Sequence, residues 1–296
     1  MEILVLGGAG QVGTELQAHS WPEGVRVHAP PRDDLDITDP AAVAAALAER
    51  HYSVVINTAA YTAVDKAESD VTAAWRLNAL APAILAEQTR ARGIPLVHVS
   101  TDYVFAGTKP EGAYAPAEPV DPHSVYGASK AAGEFAVRTA NPRHAILRTA
   151  WVVSPHRGNF VKTMLRLSGE RDSLSVVDDQ HGCPTSAADL AAALATVALR
   201  LAQDADAPVG TFHCVNAGST TWCGFARAIV EGSARRGGRT VPVQGIPTSA
   251  YPTPARRPTN SRLSTDTLTA AYGIVPRPWE AALDDILDRL VGPATA

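Results

Sequence analysis

The most restrictive stretch of this sequence is its beginning, where Ile3-Leu4-Val5-Leu6 passes directly into Gly7-Gly8-Ala9-Gly10-Gln11-Val12-Gly13. The glycines satisfy both the GxGxxG and the GxxGxxG spacing, and Gln11–His19 behind them has helical composition. A strand that turns tightly into a helix leaves the first helical N–H groups free, with the positive end of the helix dipole behind them. Such a turn receives a phosphate group, and the strand-before, helix-after context is what gives the motif weight. Gly7, Gly10, Gln11, Val12 and Gly13 are therefore expected to meet a dinucleotide. The plainer alternative is a glycine-rich turn without a ligand.

The first half of the chain continues in alternation. Val25–Ala29, Val54–Asn57, Leu96–Ser100 and His144–Arg148 read as strands. Between them, Asp39-Pro40 opens a helix to about His51, Ala73–Arg92 reads as one long helix stopped by Gly93, and Ser124–Thr139 is helical. Short strands rich in Val, Ile and Leu suit a sheet covered on both faces. The alternation predicts an α/β fold, a doubly wound parallel sheet of the Rossmann type, over residues 1–150.

After about residue 150 proline and glycine interrupt the rhythm. Ala187–Gln203 is a helix with Leu190, Leu194, Val197 and Leu201 on one face, and Thr211–Val215 is a short strand. Thr221 caps a helix that runs to Gly237-Gly238, residues 245–262 read as an ordered loop, and Pro278–Leu290 is a last helix. Residues 151–296 are expected to form a smaller C-terminal α/β substrate lobe, too scattered for a second large core, with some segments returning to the first domain.

A net charge of −4 leaves no basic footprint for a nucleic acid. No apolar run approaches the roughly 18 residues of a membrane span, and the N-terminus has no signal-peptide pattern. Cys183, Cys214 and Cys223 form no CxxC pair, which fits a reducing cytoplasm.

Two further stretches carry chemistry. The second strand ends in Val27-His28-Ala29-Pro30-Pro31-Arg32, with no acid to bind ribose hydroxyls. Arg32 is placed for a 2′-phosphate, which favours NADPH and leaves NADH open. Asp36-Ile37 would flank the adenine, although Asp36 equally suits a turn. Tyr126-Gly127-Ala128-Ser129-Lys130 is a YxxxK motif, which sets both side chains on one helix face about 6 Å apart along the axis. A nearby ammonium is expected to lower the phenol pKa and make Tyr126 a usable proton donor to a carbonyl, with Lys130 also holding the nicotinamide ribose. Thr101, at the end of the fourth strand, is placed to hydrogen-bond that carbonyl or to cap its own backbone.

At this point the chain resembles the dTDP-4-dehydrorhamnose reductase family of extended short-chain dehydrogenases. The resemblance is carried by Asn57–Glu68, Ser100–Gly107, Tyr126–Lys130, Arg148–Val152, Asn159–Arg166, Asp179–Thr185, Pro247–Pro258 and Asn260–Leu263. It implies NAD(P)H-dependent reduction of the C4 ketone of dTDP-4-dehydro-L-rhamnose. It further implies that Gly10, Gln11 and Val12 contact cofactor phosphates, with Asp36 and Ile37 on the adenine side. Ala59, Ala60, Tyr61 and Thr62 would line the cofactor, and Thr101, Tyr126 and Lys130 would be catalytic. Thr101, Asp102 and Trp151 would touch the sugar and Arg257 the diphosphate. Trp151 as a core aromatic and Arg257 in a surface ion pair are the alternatives.

Members of this family can hold magnesium between glutamates at a dimer interface. Glu15 fits that pattern, but Asp189 and Ala281-Ala282-Leu283-Asp284 do not, so no metal site is expected and the chain is read as a monomer or homodimer. Rival functions are a sister ketoreductase for another dTDP-4-keto-6-deoxyhexose, such as one making dihydrostreptose, and a non-catalytic dinucleotide-binding regulatory subunit. Elimination or epimerisation is disfavoured because Asp102 stands without a second acid beside Thr101.

Overall fold

The computed structural model describes residues 1–294. Five strands come from the first half of the chain: β1 (Glu2–Leu6), β2 (Arg26–His28), β3 (Val54–Asn57), β4 (Leu96–Thr101) and β5 (His144–Thr149). They form a six-stranded sheet with Gly210–His213, in the order Gly210–His213, β5, β4, β3, β1, β2. Every pairing in it is parallel.

The two-residue period of a strand divides β1 between two cores. Ile3 and Val5 face a layer with Val12, Leu16, Leu190, Leu194 and Val197, whereas Leu4 and Leu6 face Val43, Leu47, Ile84, Leu85 and Val137. The helix Ala187–Gln203 and the strand Gly210–His213, both from beyond residue 150, thus complete the first domain. The helix Pro40–Glu49 begins as its sequence predicts: Asp39 Oδ1 accepts from Ala41 N at 2.8 Å, and proline fills the first helical position.

The expected single helix over Ala73–Arg92 is broken in the structure. A helix Val71–Trp75 passes into a wider π-turn segment, Arg76–Leu80, before the helix Ala81–Arg90. Pro82 has no N–H to give the Asn78 carbonyl four residues earlier. The ladder widens there, and Ala81 N donates to Arg76 O, five residues back. The freed segment is covered by the helix Val125–Ala140, which comes so close that a Cβ on Gly133 would lie 2.1 Å from the Asn78 oxygen.

The remaining segments do build a core of their own, contrary to expectation. Val153, Val161, Met164, Leu174, Phe225, Ile229, Trp279, Ile286 and Leu287 are buried together. They meet because the helices Phe160–Glu170, Trp222–Ala234 and Trp279–Leu290 each carry an apolar stripe that has no place on the sheet. The region expected as a loop also begins in regular structure: Val243–Ile246 is a strand parallel to Leu174–Val177. Among the described residues, no helix is long and apolar enough to cross a membrane.

Candidate active site

A cleft of about 740 Å³ runs along the carboxyl ends of the sheet, from the glycine loop to the start of the helix Trp222–Ala234. Ligands of open parallel sheets bind on this side, and the volume is in the ordinary range for a ligand pocket. At one end, Gly10 precedes the helix Gln11–Ala18 without any side-chain cap, so its first N–H groups face the cleft unclaimed by a capping residue. Two glycines are required for shape. Gly7 has φ +82° and would set a Cβ 2.7 Å from Ala59 N, and a Cβ on Gly13 would lie 2.2 Å from Gly7 O. This cradle and the free helix terminus fit a dinucleotide diphosphate.

Most of the residues proposed from the sequence line this one cleft: Gly7, Gly10, Gln11 and Val12 at the loop, Arg32, Asp36 and Ile37 after β2, Ala59, Ala60 and Thr62 after β3, and Thr101, Asp102, Tyr126, Lys130 and Trp151. Three are not on its wall. Gly13 serves the close packing of loop and helix. Tyr61 turns its hydroxyl to Asp70 Oδ2 at 3.0 Å. Arg257 is held by Asp65 Oδ2 at 2.5 Å and donates to the Tyr103 hydroxyl at 3.0 Å. Asp36 also has a local task, since its Oδ1 accepts from Thr38 N at 2.9 Å and from Thr38 Oγ1 at 2.7 Å. Those bonds hold its carboxyl below the usual range, backbone first.

Thr101, Tyr126 and Lys130 meet at the middle of the cleft. Ser124 caps the helix Val125–Ala140 by accepting from Gly127 N at 3.1 Å, which fixes the first turn that carries Tyr126. Lys130, one turn on, is buried and donates from Nζ to Val99 O at 2.7 Å. Thr101 Oγ1 donates to Asp102 Oδ1 at 2.9 Å and accepts from Tyr103 N at 3.2 Å, so the hydroxyl caps the turn Asp102–Val104 as well as facing the cleft.

The electrostatics differ from the expectation in one respect. Burial pushes the Tyr126 hydroxyl above its ordinary pKa, a hydrogen bond with Thr101 opposes this, and the charges of Asp102 and Tyr103 add to the rise. Desolvation outweighs any pull from the lysine, because a phenolate in a dry site is costly. Burial also pushes Lys130 down to about 8, opposed by Glu134, and raises Asp102 to about 6, opposed by hydrogen bonds from Ser261 and Thr101. Tyr126 is therefore a fully protonated donor at neutral pH, not a base.

Several residues of the site escaped the sequence reading. Asn78, in the π-turn segment, accepts from Tyr61 N at 2.8 Å and donates to Ser129 Oγ at 3.1 Å. Ser129 in turn donates to Tyr126 O at 2.8 Å, so Asn78 ties the loop after β3 to the helix that carries Tyr126 and Lys130. Pro82 was the available signal for that segment. Trp222 stacks on Trp151 with ring centres 3.6 Å apart, and Trp151 holds φ +50°. Nothing near Trp222 in the sequence points to the cleft.

Glu15, the one residue matching the magnesium pattern, is engaged by the Arg289 guanidinium, Nη1 at 2.8 Å, and by the His156 imidazole, Nε2 at 2.9 Å. Asp189 pairs with Arg277 at 2.8 Å, and Asp284 with Arg236 at 3.2 Å. These surroundings do not fit a carboxylate-held divalent ion.

A family model described as the RmlD substrate binding domain matches residues 1–291. A dTDP-4-dehydrorhamnose reductase of Sinorhizobium fredii is 43% identical, over 95% of this chain and 94% of that protein. One of Salmonella typhimurium is 40% identical over 100% of both. Among solved structures, a dTDP-4-dehydrorhamnose reductase of Clostridium acetobutylicum superposes with a TM-score of 0.91 at 38% identity, covering 98% of this chain and 99% of the other. That of Bacillus anthracis, in complex with NADP, gives 0.90 at 34% identity over 97% of this chain and 99% of its own.

Proposed function

The chain belongs to the dTDP-4-dehydrorhamnose reductase family, and from that premise we propose that it reduces the C4 ketone of dTDP-4-dehydro-L-rhamnose to dTDP-L-rhamnose, with NADPH as reductant. The observation that carries the reading is the meeting of Thr101, Tyr126 and Lys130 on the wall of a cleft that continues to an uncapped, glycine-opened helix terminus.

A nicotinamide cofactor held in this cleft would supply a hydride to the carbonyl carbon. The protein's residues manage the negative charge that then builds on the carbonyl oxygen. Tyr126 Oη gives that oxygen a proton, so the product is the neutral alcohol. Its raised pKa keeps the proton in place until that moment. The single proton of Thr101 Oγ1 goes to Asp102 Oδ1, which leaves its oxygen to accept from the Tyr126 hydroxyl beside it. Lys130 is anchored by Val99 O through one donor, and two of its three N–H groups remain for the ribose and the developing phenolate. Trp151, backed by Trp222, offers a flat apolar face for the methyl-bearing sugar.

Support for NADPH over NADH comes from Arg32 on the cleft wall, the lack of an acid at the end of β2 and the NADP complex of the Bacillus anthracis relative. Three free, buried cysteines suit a reducing compartment such as the cytoplasm. Purified protein incubated with NADPH and dTDP-4-dehydro-L-rhamnose should oxidise the cofactor and yield dTDP-L-rhamnose by product analysis. Absence of cofactor oxidation, or a different sugar epimer, overturns the assignment. A preference for NADH would overturn the role given to Arg32.

A further inference from the structure

We propose that Arg157, a residue of the substrate lobe, is an anion-binding residue for the cofactor diphosphate. The proposal rests on reading the cleft as an NADP(H) site.

Arg157 is one of only two non-glycine residues with positive φ among those described, at φ +53°. Such a conformation persists where the surrounding structure imposes it, and it tends to mark functional sites. Here it sends the side chain across the gap between the lobe and the glycine loop. Nε donates to Ala9 O at 2.7 Å, a contact spanning 148 residues of sequence. Arg157 lines the cleft together with Gly8, Ala9 and Gly10. Nε is held on Ala9 O, and no partner for the two terminal nitrogens occurs among the described residues. A guanidinium oriented this way matches the paired oxygens of a phosphate.

The segment that carries Arg157 is fastened to the same helix terminus. Gln11 Oε1 accepts from Ser154 Oγ at 2.7 Å and from Asn159 Nδ2 at 3.0 Å. Glu15, which contacts His156 of this segment, is already engaged by Arg289 as well. The positive charge of Arg157 is thus left for a ligand. Gln11, expected from the sequence to touch phosphate, spends its side chain on holding this segment in place.

The test compares binding of NADPH and of adenosine 2′-monophosphate to the full chain, by quenching of protein fluorescence, in wild type, Arg157→Ala and Arg157→Gly. The nucleoside monophosphate carries the adenine and 2′-phosphate but no diphosphate. Both variants should bind NADPH about tenfold more weakly, as expected for loss of a charge-assisted hydrogen bond. Both should bind the monophosphate as wild type does. Arg157→Gly should melt no lower than wild type, because glycine accepts φ +53° without strain. Undiminished NADPH affinity in Arg157→Gly, or an equal loss for both ligands, overturns the proposal. A wild-type chain that binds the monophosphate but not NADPH overturns the cofactor reading itself.

Discussion

Lys130 Nζ donates to the carbonyl oxygen of Val99 at 2.7 Å, which ties the helix Val125–Ala140 to β4 just before Ser100 and Thr101. The bond fixes where the ammonium sits, but one carbonyl does not replace its hydration, and burial pushes its pKa down to about 8. In the proposed mechanism Lys130 acts in its charged form. The rate constant kcat/KM should therefore fall as pH rises through about 8, while Tyr126, pushed up by its own burial, stays protonated over that range. Arginine does not lose its charge in a protein. In Lys130→Arg the alkaline limb should move up by more than about one pH unit, at a lower overall rate. A limb that stays in place in that variant would show that another group sets it.

Asp102 is buried, and its carboxyl is raised to about 6 in the folded chain, against about 3.9 when unfolded. Between those values the folded state binds the proton more tightly, so stability from this group falls as pH rises, and the cost is complete above about pH 6. Asp102→Asn keeps an oxygen for Thr101 and removes the charge. It should stabilise the protein at pH 8 by about 1–3 kcal/mol, with the gain fading as pH falls from 6 towards 4. Reduction should slow, because Thr101 loses the charged partner that sets its hydroxyl. Urea unfolding at pH 8 and pH 4.5 checks this; destabilisation at pH 8 would contradict it.

Four residues beyond Lys130 on the same helix, Glu134 receives Arg148 in two bonds, Nε to Oε1 at 2.8 Å and Nη2 to Oε2 at 2.7 Å. Both side chains are 1% exposed or less, so neither charge has water to fall back on. Glu134→Gln leaves the guanidinium buried without its counter-ion and should cost about 3–5 kcal/mol in urea unfolding. Glu134→Leu combined with Arg148→Met should cost clearly less than the two single changes added together. Additive losses would mean that the two side chains act independently.

The sequence carried the parts of the site that are local in the chain. The glycine loop between strand and helix, and Tyr126 with Lys130 one turn apart, need only neighbouring residues to be read. The sheet was legible for the same reason, since β1, β3, β4 and β5 each carry a short apolar run. What stayed hidden depends on residues far apart in sequence. Arg157 reaches Ala9, Arg148 reaches Glu134 and Trp222 stacks on Trp151, and no periodicity announces such meetings. The lobe's core was missed because its apolar stripes lie on helices separated by loops, each too short to suggest a common partner. The sign of the Tyr126 shift was misjudged because the motif displays the lysine and not the burial.

In the proposed mechanism the Tyr126 hydroxyl delivers the proton that completes ketone reduction. The direct test is turnover of dTDP-4-dehydro-L-rhamnose by Tyr126→Phe, with NADPH affinity measured on the same sample. Turnover should fall by about 10²–10⁴-fold with NADPH affinity nearly unchanged. Turnover close to wild type in that variant would contradict the account.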